Sequence, residues 1–414
     1  MATRTPASTR SPARARAVAK PQAAPAPPQL AVVPPPALRP SIHEVAARYD
    51  RVALVLQGGG ALGSYQVGVY EALHEAGCDP TWISGVSIGA INAALIAGNP
   101  PERRMERLDA FWSRMTERRI WPWTPEGDGF RDLRNRSSAL MTMLLGQPGF
   151  FKPQAFNPWL LPAGAPGATS FYDSGELRDT LEELVDFDRL NNGQQRVSVG
   201  AVNVATGNIV FFDTHHQRIG PEHIMASGAL PPALPMVEID GEHYWDGGIV
   251  SNTPLQYLLD QEEDLSSLVF QVDLFNARGP IPRQMSEVSA RHKDITYSSR
   301  TRQTTDAFKR ILALRMRVLD ALQRVPADQL RPGEAELIQD YADAGVVNIV
   351  QLIFQPKSYA GEAKDYEFSG TSMREHRASG YHDTQRTLRH PDWLLPPSPE
   401  VGICVHDVHR DDPA

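Results

Sequence analysis

Cysteine is nearly missing: Cys78 and Cys404 are the two in 414 residues. Two thiols cannot build a disulfide framework or a zinc site, and they suit a reducing compartment. Long apolar runs are lacking too, and no stretch approaches the length of a membrane-spanning helix. The N-terminus carries basic residues with no continuous apolar segment behind them, so it does not read as a secretory signal. Nor is there an excess of positive charge. The formal net charge is -8, whereas general nucleic-acid binding goes with a basic domain. Acidic and aromatic residues are absent from the first 40 positions, which are rich in Ala and Pro and hold Arg4, Arg10, Arg14, Arg16, Lys20 and Arg39. Such sequence buries too little surface to fold, and a disordered basic tail is expected over residues 1–45. The expectation is a soluble cytoplasmic protein, with peripheral contact at the inner membrane surface left open.

What is present is ordinary globular composition, 41% hydrophobic and 22% charged, in a chain long enough for two domains or one large domain with appendages. Its centre is Gly85-Val86-Ser87-Ile88-Gly89, which fits G-x-S-x-G. That pattern places a serine on a tight strand-to-helix turn. Trp82 and Ile83 are β-prone residues ahead of it, and residues 88–97 are apolar and Ala-rich, suited to a buried helix.

Upstream, Val52-Ala53-Leu54-Val55-Leu56 is a short apolar run of the kind found in strands covered on both faces. It leads into Gln57-Gly58-Gly59-Gly60-Ala61-Leu62-Gly63 and a helix over 65–76 stopped by Gly77. Strand, glycine loop, helix, strand, turn and helix open a parallel α/β sheet with right-handed crossovers. Gly58, Gly60 and Gly63 also spell G-x-G-x-x-G, but a dinucleotide site needs an acidic residue at the end of the second strand, where Gly85-Val86-Ser87 stands. The other use of the loop is an oxyanion hole, its N–H groups turned toward one point with a helix N-terminus behind them.

Further on, a helix is expected over 102–118, and a Trp/Pro/Gly-rich stretch over 120–166 reads either as irregular packing or as a lid or acyl-chain wall. Residues 176–185 read as a helix, and 196–204 and 208–213 as strands. Residues 237–245 read as a hairpin turning at Asp240-Gly241 and ending in Asp246-Gly247-Gly248. A helix then follows with Thr253 as N-cap and Pro254 at its first position.

Gly58-Gly59-Gly60-Ala61-Leu62-Gly63, Gly85-Val86-Ser87-Ile88-Gly89 and Asp246-Gly247-Gly248, in that order, together with Ala226-Ser227-Gly228-Ala229-Leu230-Pro231, resemble the patatin-like phospholipase family. The resemblance implies a three-layer α/β fold with a central, mainly parallel sheet over residues 50–260. A mixed, largely helical extension over 261–400 would complete or flank that sheet. It further implies a lipid acyl hydrolase with Ser87 as nucleophile, Asp246 as its base and Gly58, Gly59 and Gly60 as the oxyanion hole, with Gly63, Gly85, Gly89, Gly247 and Gly248 as motif glycines. Leu62 departs from many relatives, which carry Arg or Lys there. The stretch 348–391 resembles a region of unknown function that accompanies some bacterial members, and it speaks to lineage rather than chemistry.

The substrate implied is a lipid ester, and nothing calls for a metal, a cofactor or nucleic acid. The competing readings are a Ser–His–Asp hydrolase using a downstream histidine such as His376, an acyltransferase variant, and a catalytically silent membrane-binding module. Residues 286–324 read as one long basic helix, able to lie on an anionic membrane but more commonly a solvated face. A strand is expected over 348–354 and a helix over 372–388, where the spacing of His376 and His382 does not suit a metal site.

Overall fold

The computed structural model describes residues 41–116, 128–261, 265–342, 345–356, 361 and 363–411. The expected tail falls outside the described residues as far as position 40. From Ser41 the chain is ordered instead: Ser41 and Glu44 form a capping box on the short helix Ile42–Ala46, the pattern that satisfies two orphan N–H groups reciprocally.

Nine strands form one sheet. They are β1 (Arg51–Leu56), β2 (Trp82–Val86), β3 (Arg196–Asn203), β4 (Ile209–Asp213), β5 (Val237–Ile239), β6 (Glu242–Asp246), β7 (Ser267–Asp273), β8 (Val347–Ile353) and β9 (Ile403–Asp407). The spatial order is β9-β8-β7-β1-β2-β3-β6-β5, with β4 also on β3. From β9 to β3 every pairing is parallel; β4, β5 and β6 pair antiparallel. The sheet is thus mainly parallel, and residues beyond 261 supply β7, β8 and β9, which continue it from β1 outward.

Both faces are covered, as parallel strands require. Along β1, Val52, Leu54 and Leu56 enter the larger core, while Ala53 and Val55 enter a smaller one with Trp82, Leu255, Leu258 and Val269. On the larger side lie α1 (Ser64–Glu75), α2 (Ile88–Ala97), α3 (Pro101–Arg114), α5 (Gly175–Leu184) and α6 (Pro221–Ser227). All ten residues of α2 are buried, which explains its small and aliphatic composition.

Three stretches differ from expectation. Residues 120–166 are not simply irregular: α4 (Asp128–Leu145) is an 18-residue helix within them, while 117–127 lie outside the described residues. The long basic helix is two, α7 (Met285–Tyr297) and α8 (Thr301–Leu322). Ser298 is extended between them. Ser299 donates to Asp273 at 2.7 Å and Gln271 donates to the Thr301 hydroxyl at 2.6 Å, so polar ties to the end of β7 interrupt the periodicity. The helix after Asn252 runs Leu255–Leu259, with Pro254 in the cap. Thr253 is not the cap, because its hydroxyl accepts a hydrogen bond from Gln57 at 2.7 Å. The hairpin turn does form at Asp240-Gly241, both with positive φ (52° and 83°), as a type I′ turn needs.

The C-terminal helix α9 (Gly370–Leu388) packs backbone-to-backbone on α1. A Cβ on Gly68 would lie 1.9 Å from the Arg377 carbonyl, and one on Gly380 would lie 2.1 Å from that of Tyr65. Neither obstacle is a movable side-chain tip. Gly380→Val should therefore destabilise the protein by about 3 kcal/mol through overpacking, read from the urea unfolding midpoint. An unchanged midpoint would contradict the close helix contact.

Candidate active site

The turn after β2 is set by steric necessity. Ser87 has φ 57° and ψ -124°, a region L-residues rarely occupy and which costs of order 1–3 kcal/mol. Its flanking glycines are required by close approach. A Cβ on Gly85 would lie 2.4 Å from the Gly89 carbonyl, and one on Gly89 would lie 2.3 Å from that of Leu56. Ser227, at the end of α6, holds the turn from outside. The Ser87 N–H donates to its hydroxyl at 3.0 Å, and that hydroxyl donates to the Gly200 carbonyl at 2.6 Å.

Gly200 is also where the second residue arrives. β2 pairs with residues 196–200 of β3 and ends with Val86 opposite Gly200. β6 pairs with residues 201–203 and ends with Asp246 opposite Ala201. β4 covers 198–202 and so occupies the opposite edge. Thus β2 and β6 meet end to end on one edge of β3, bringing Ser87 against Asp246. Gly247 continues past Gly200 so closely that a Cβ would lie 2.5 Å from its carbonyl oxygen.

Asp246 is 3% exposed. Its carboxylate accepts from the Gly248 N–H at 2.7 Å and from the Ser87 hydroxyl. Burial pushes its pKa up to about 6, outweighing the two hydrogen bonds that lower it. The group is a stronger base than an ordinary carboxylate, yet is ionised at neutral pH.

The glycine loop after β1 is anchored by two side chains whose roles the motifs did not disclose. Gln57 accepts from the Leu274 and Phe275 N–H groups at 2.6 and 2.9 Å, and its own carbonyl accepts from Gln66 at 2.7 Å. Asn252 donates to the Gly58 carbonyl at 3.0 Å and to that of Tyr297 at 2.9 Å, while Gly58 N–H donates to the Asn252 carbonyl at 3.3 Å. The Gly58 N–H is therefore already engaged within the protein. Gly60 has φ 56°, and a Cβ there would lie 2.3 Å from the Asp365 carbonyl. Gly63 is pressed on by the Ile88 side chain, 2.5 Å from where its Cβ would be.

A cavity of about 140 Å³ opens over this arrangement. Gly58, Gly59, Gly60, Ser87, Asp246 and Gly248 line its polar end, and Phe150, Phe151, Leu234, Phe275 and Phe368 give it apolar walls. Thr142 and Met143 of α4 contribute, so part of the 120–166 stretch walls the cavity. Lys293, Tyr297, Asp365 and Tyr366 also line it. Asp365, Tyr366 and Phe368 belong to the stretch 348–391, expected to speak only to lineage, which thus supplies part of the cavity wall. No histidine is among the described lining residues; His376 packs edge-on against Phe354, with ring centroids 4.9 Å apart. Among the described residues no group of three or more His, Cys, Asp or Glu is placed to hold a metal ion. No helix of theirs is long and apolar enough to cross a membrane.

The model of a family described as patatin-like phospholipase matches residues 54–259, and a second, described as patatin phospholipase, matches residues 295–400. A cGAMP-activated phospholipase of Pseudomonas aeruginosa is 34% identical over 94 residues, covering 21% of this chain and 28% of that protein. An uncharacterized NTE family protein of Mycobacterium tuberculosis is 29% identical over 224 residues, covering 53% of this chain and 48% of that protein. The solved structure of human GIVD cytosolic phospholipase A2 aligns at 14% identity and a TM-score of 0.38, covering 84% of this chain and 62% of that one. The chain spans less than half the length of the two curated relatives.

Because the fold raises the Asp246 pKa above its unfolded value, ionising this group weakens the fold. That cost is absent below about pH 4, grows as pH rises through about 6, and is complete above it. A shift from 3.8 to about 6 corresponds to about 3 kcal/mol. Asp246→Asn should be more stable than the parent at pH 8 by up to that amount, with the gain vanishing toward pH 4. Urea unfolding at both pH values checks this, and an Asn variant less stable at pH 8 would contradict it.

Proposed function

The chain belongs to the patatin-like phospholipase family, and on that premise we propose that it is a serine lipid acyl hydrolase. It cleaves carboxylic esters of phospholipids, lysophospholipids or acylglycerols through an acyl-Ser87 intermediate. The observation that carries the reading is the hydrogen bond from Ser87 to the buried Asp246 carboxylate at the floor of an apolar-walled cavity. The relative named a phospholipase supports the substrate class.

A serine hydroxyl is a weak nucleophile until a base takes its proton. Asp246 is in hydrogen-bonding contact with that proton, and its raised pKa favours accepting it at neutral pH. As Ser87 Oγ attacks the ester carbonyl, negative charge develops on the carbonyl oxygen. The N–H groups of Gly59 and Gly60 have no acceptor among the described residues and are the donors for that oxyanion. The first turn of α2, which begins at Ile88, adds the positive potential of its own unpaired N–H groups. One such donor is typically worth about 3 kcal/mol in the transition state. Collapse passes the proton from Asp246 to the leaving alkoxide and leaves the acyl group on Ser87. A water molecule then enters and Asp246 takes its proton as the hydroxide attacks the acyl carbon. Collapse breaks the acyl–Ser87 bond, Asp246 returns the proton to Ser87 Oγ, and the acyl group leaves as a carboxylic acid. Every step uses one carboxylate, which is ionised before each attack and neutral after it.

A fluorophosphonate probe tests the reading. The parent should carry the adduct on Ser87, Ser87→Ala should carry none, and Asp246→Asn should react at least about a hundredfold more slowly, the scale of a lost general base. Labelling at another residue, or at the parent rate without Asp246, would contradict it.

A further inference from the structure

Two ion pairs cross between α7 and the short turn Lys364–Tyr366, and they are not equivalent. Lys364 pairs with Asp294, is itself 4% exposed, and lies 5.5 Å from the centre of the Phe275 ring. This pair bolts the turn to the helix. One residue along on each side, Lys293 pairs with both oxygens of Asp365 at 2.7 and 2.9 Å. Its ammonium sits 4.9 Å from the centre of the Tyr366 ring. Only this second pair lines the cavity.

A partly desolvated ion pair is a poor way to stabilise a wall, since apolar residues of similar volume serve as well or better. The turn is already held by Lys364 and by the contact of the Asp365 backbone with Gly60. The position of the second pair is therefore better explained by what enters the cavity. Lys293 is the one cationic side chain among the described lining residues, and it is paired with the Asp365 carboxylate. A lone anion drawn to Lys293 would leave Asp365 without its counter-ion. A neutral head group would leave the pair intact and gain nothing from it. A zwitterion exchanges the one internal pair for two, with its anion on Lys293 and its cation on Asp365 and the face of Tyr366.

We propose that Lys293 and Asp365 form a head-group subsite for zwitterionic phospholipids, taking the phosphate and the quaternary or primary ammonium respectively. As a substrate assignment the proposal rests on the acyl-hydrolase reading above. Because the Asp365 backbone abuts the glycine loop, the subsite stands beside that loop in the cavity that Ser87 also lines. Phe150, Phe151 and Phe368 offer the acyl chain an apolar wall.

Two experiments separate the subsite from the chemistry. Binding of dodecylphosphocholine, a zwitterion without an ester, to the Ser87→Ala protein is read by calorimetry below its micellar concentration. Lys293→Met should weaken it at least tenfold, whereas Lys293→Arg should largely keep it. Hydrolysis is then compared for lysophosphatidylcholine, lysophosphatidylglycerol and monoacylglycerol of one chain length in neutral detergent micelles, with p-nitrophenyl butyrate as an ester lacking a head group. The parent should favour lysophosphatidylcholine at least tenfold in kcat/KM over the other two lipids. Asp365→Asn should shift the choline-to-glycerol preference toward lysophosphatidylglycerol at least tenfold, because the lysine then loses the Asp365 carboxylate. Equal binding by parent and Lys293→Met, a parent preference for the anionic or neutral lipid, or losses in proportion for all substrates including the butyrate would each overturn the proposal. If no ester is cleaved while dodecylphosphocholine binding still depends on Lys293, the hydrolase reading fails and the subsite stands.

Discussion

The structure depends on one shared edge. β2 and β6 are distant in sequence and opposite in direction, yet both pair with the same side of β3 and stop at adjacent residues, Gly200 and Ala201. A serine just past the end of one and an aspartate at the end of the other then have to meet. Strand register is quantised, and a slip of one residue would turn the Asp246 side chain to the opposite face. The small residues at the joint follow from this. Gly85, Gly89 and Gly247 each sit where a Cβ would strike a neighbouring carbonyl oxygen, and Ser227 bridges the Ser87 N–H to Gly200 across the gap.

The same joint concentrates unfavourable terms. Ser87 is held in a sparsely populated backbone conformation, and Asp246 keeps a carboxylate out of water. Each costs of order a few kcal/mol. The surrounding sheet and the fully buried α2 hold both in place, which is the usual relation between a rigid scaffold and a strained site. The C-terminal region belongs to that scaffold. It supplies the strands beyond β1, packs α9 onto α1 through two glycines, and sets a turn against the glycine loop.

What the sequence disclosed was local. The apolar run of β1, the glycines of the two turns and the Asp240-Gly241 hairpin each carry their structural reason within a few residues, and the order of the motifs was enough to suggest the fold. What it concealed was set by tertiary partners. Asn252 directly precedes the Thr253-Pro254 helix start, and nothing nearby says that its amide will reach the Gly58 carbonyl. Ser227 stood within a noted stretch but without a role. The break at Ser298 comes from Asp273 and Gln271 on β7, so a helical pattern in charges and apolar residues ran straight across it. Lys293 and Asp365 are 72 residues apart, and only the fold shows that they share a cavity with Ser87.

The central claim is that a single buried carboxylate, with no histidine, activates Ser87. The pH dependence of kcat/KM for p-nitrophenyl butyrate, measured at two temperatures, tests it most directly. A carboxyl pKa hardly moves with temperature, whereas an imidazole pKa falls clearly on warming. One ascending limb with its midpoint near 6, unmoved between the temperatures, is the result predicted. A midpoint that falls on warming, as an imidazole's would, would contradict the Ser87–Asp246 account.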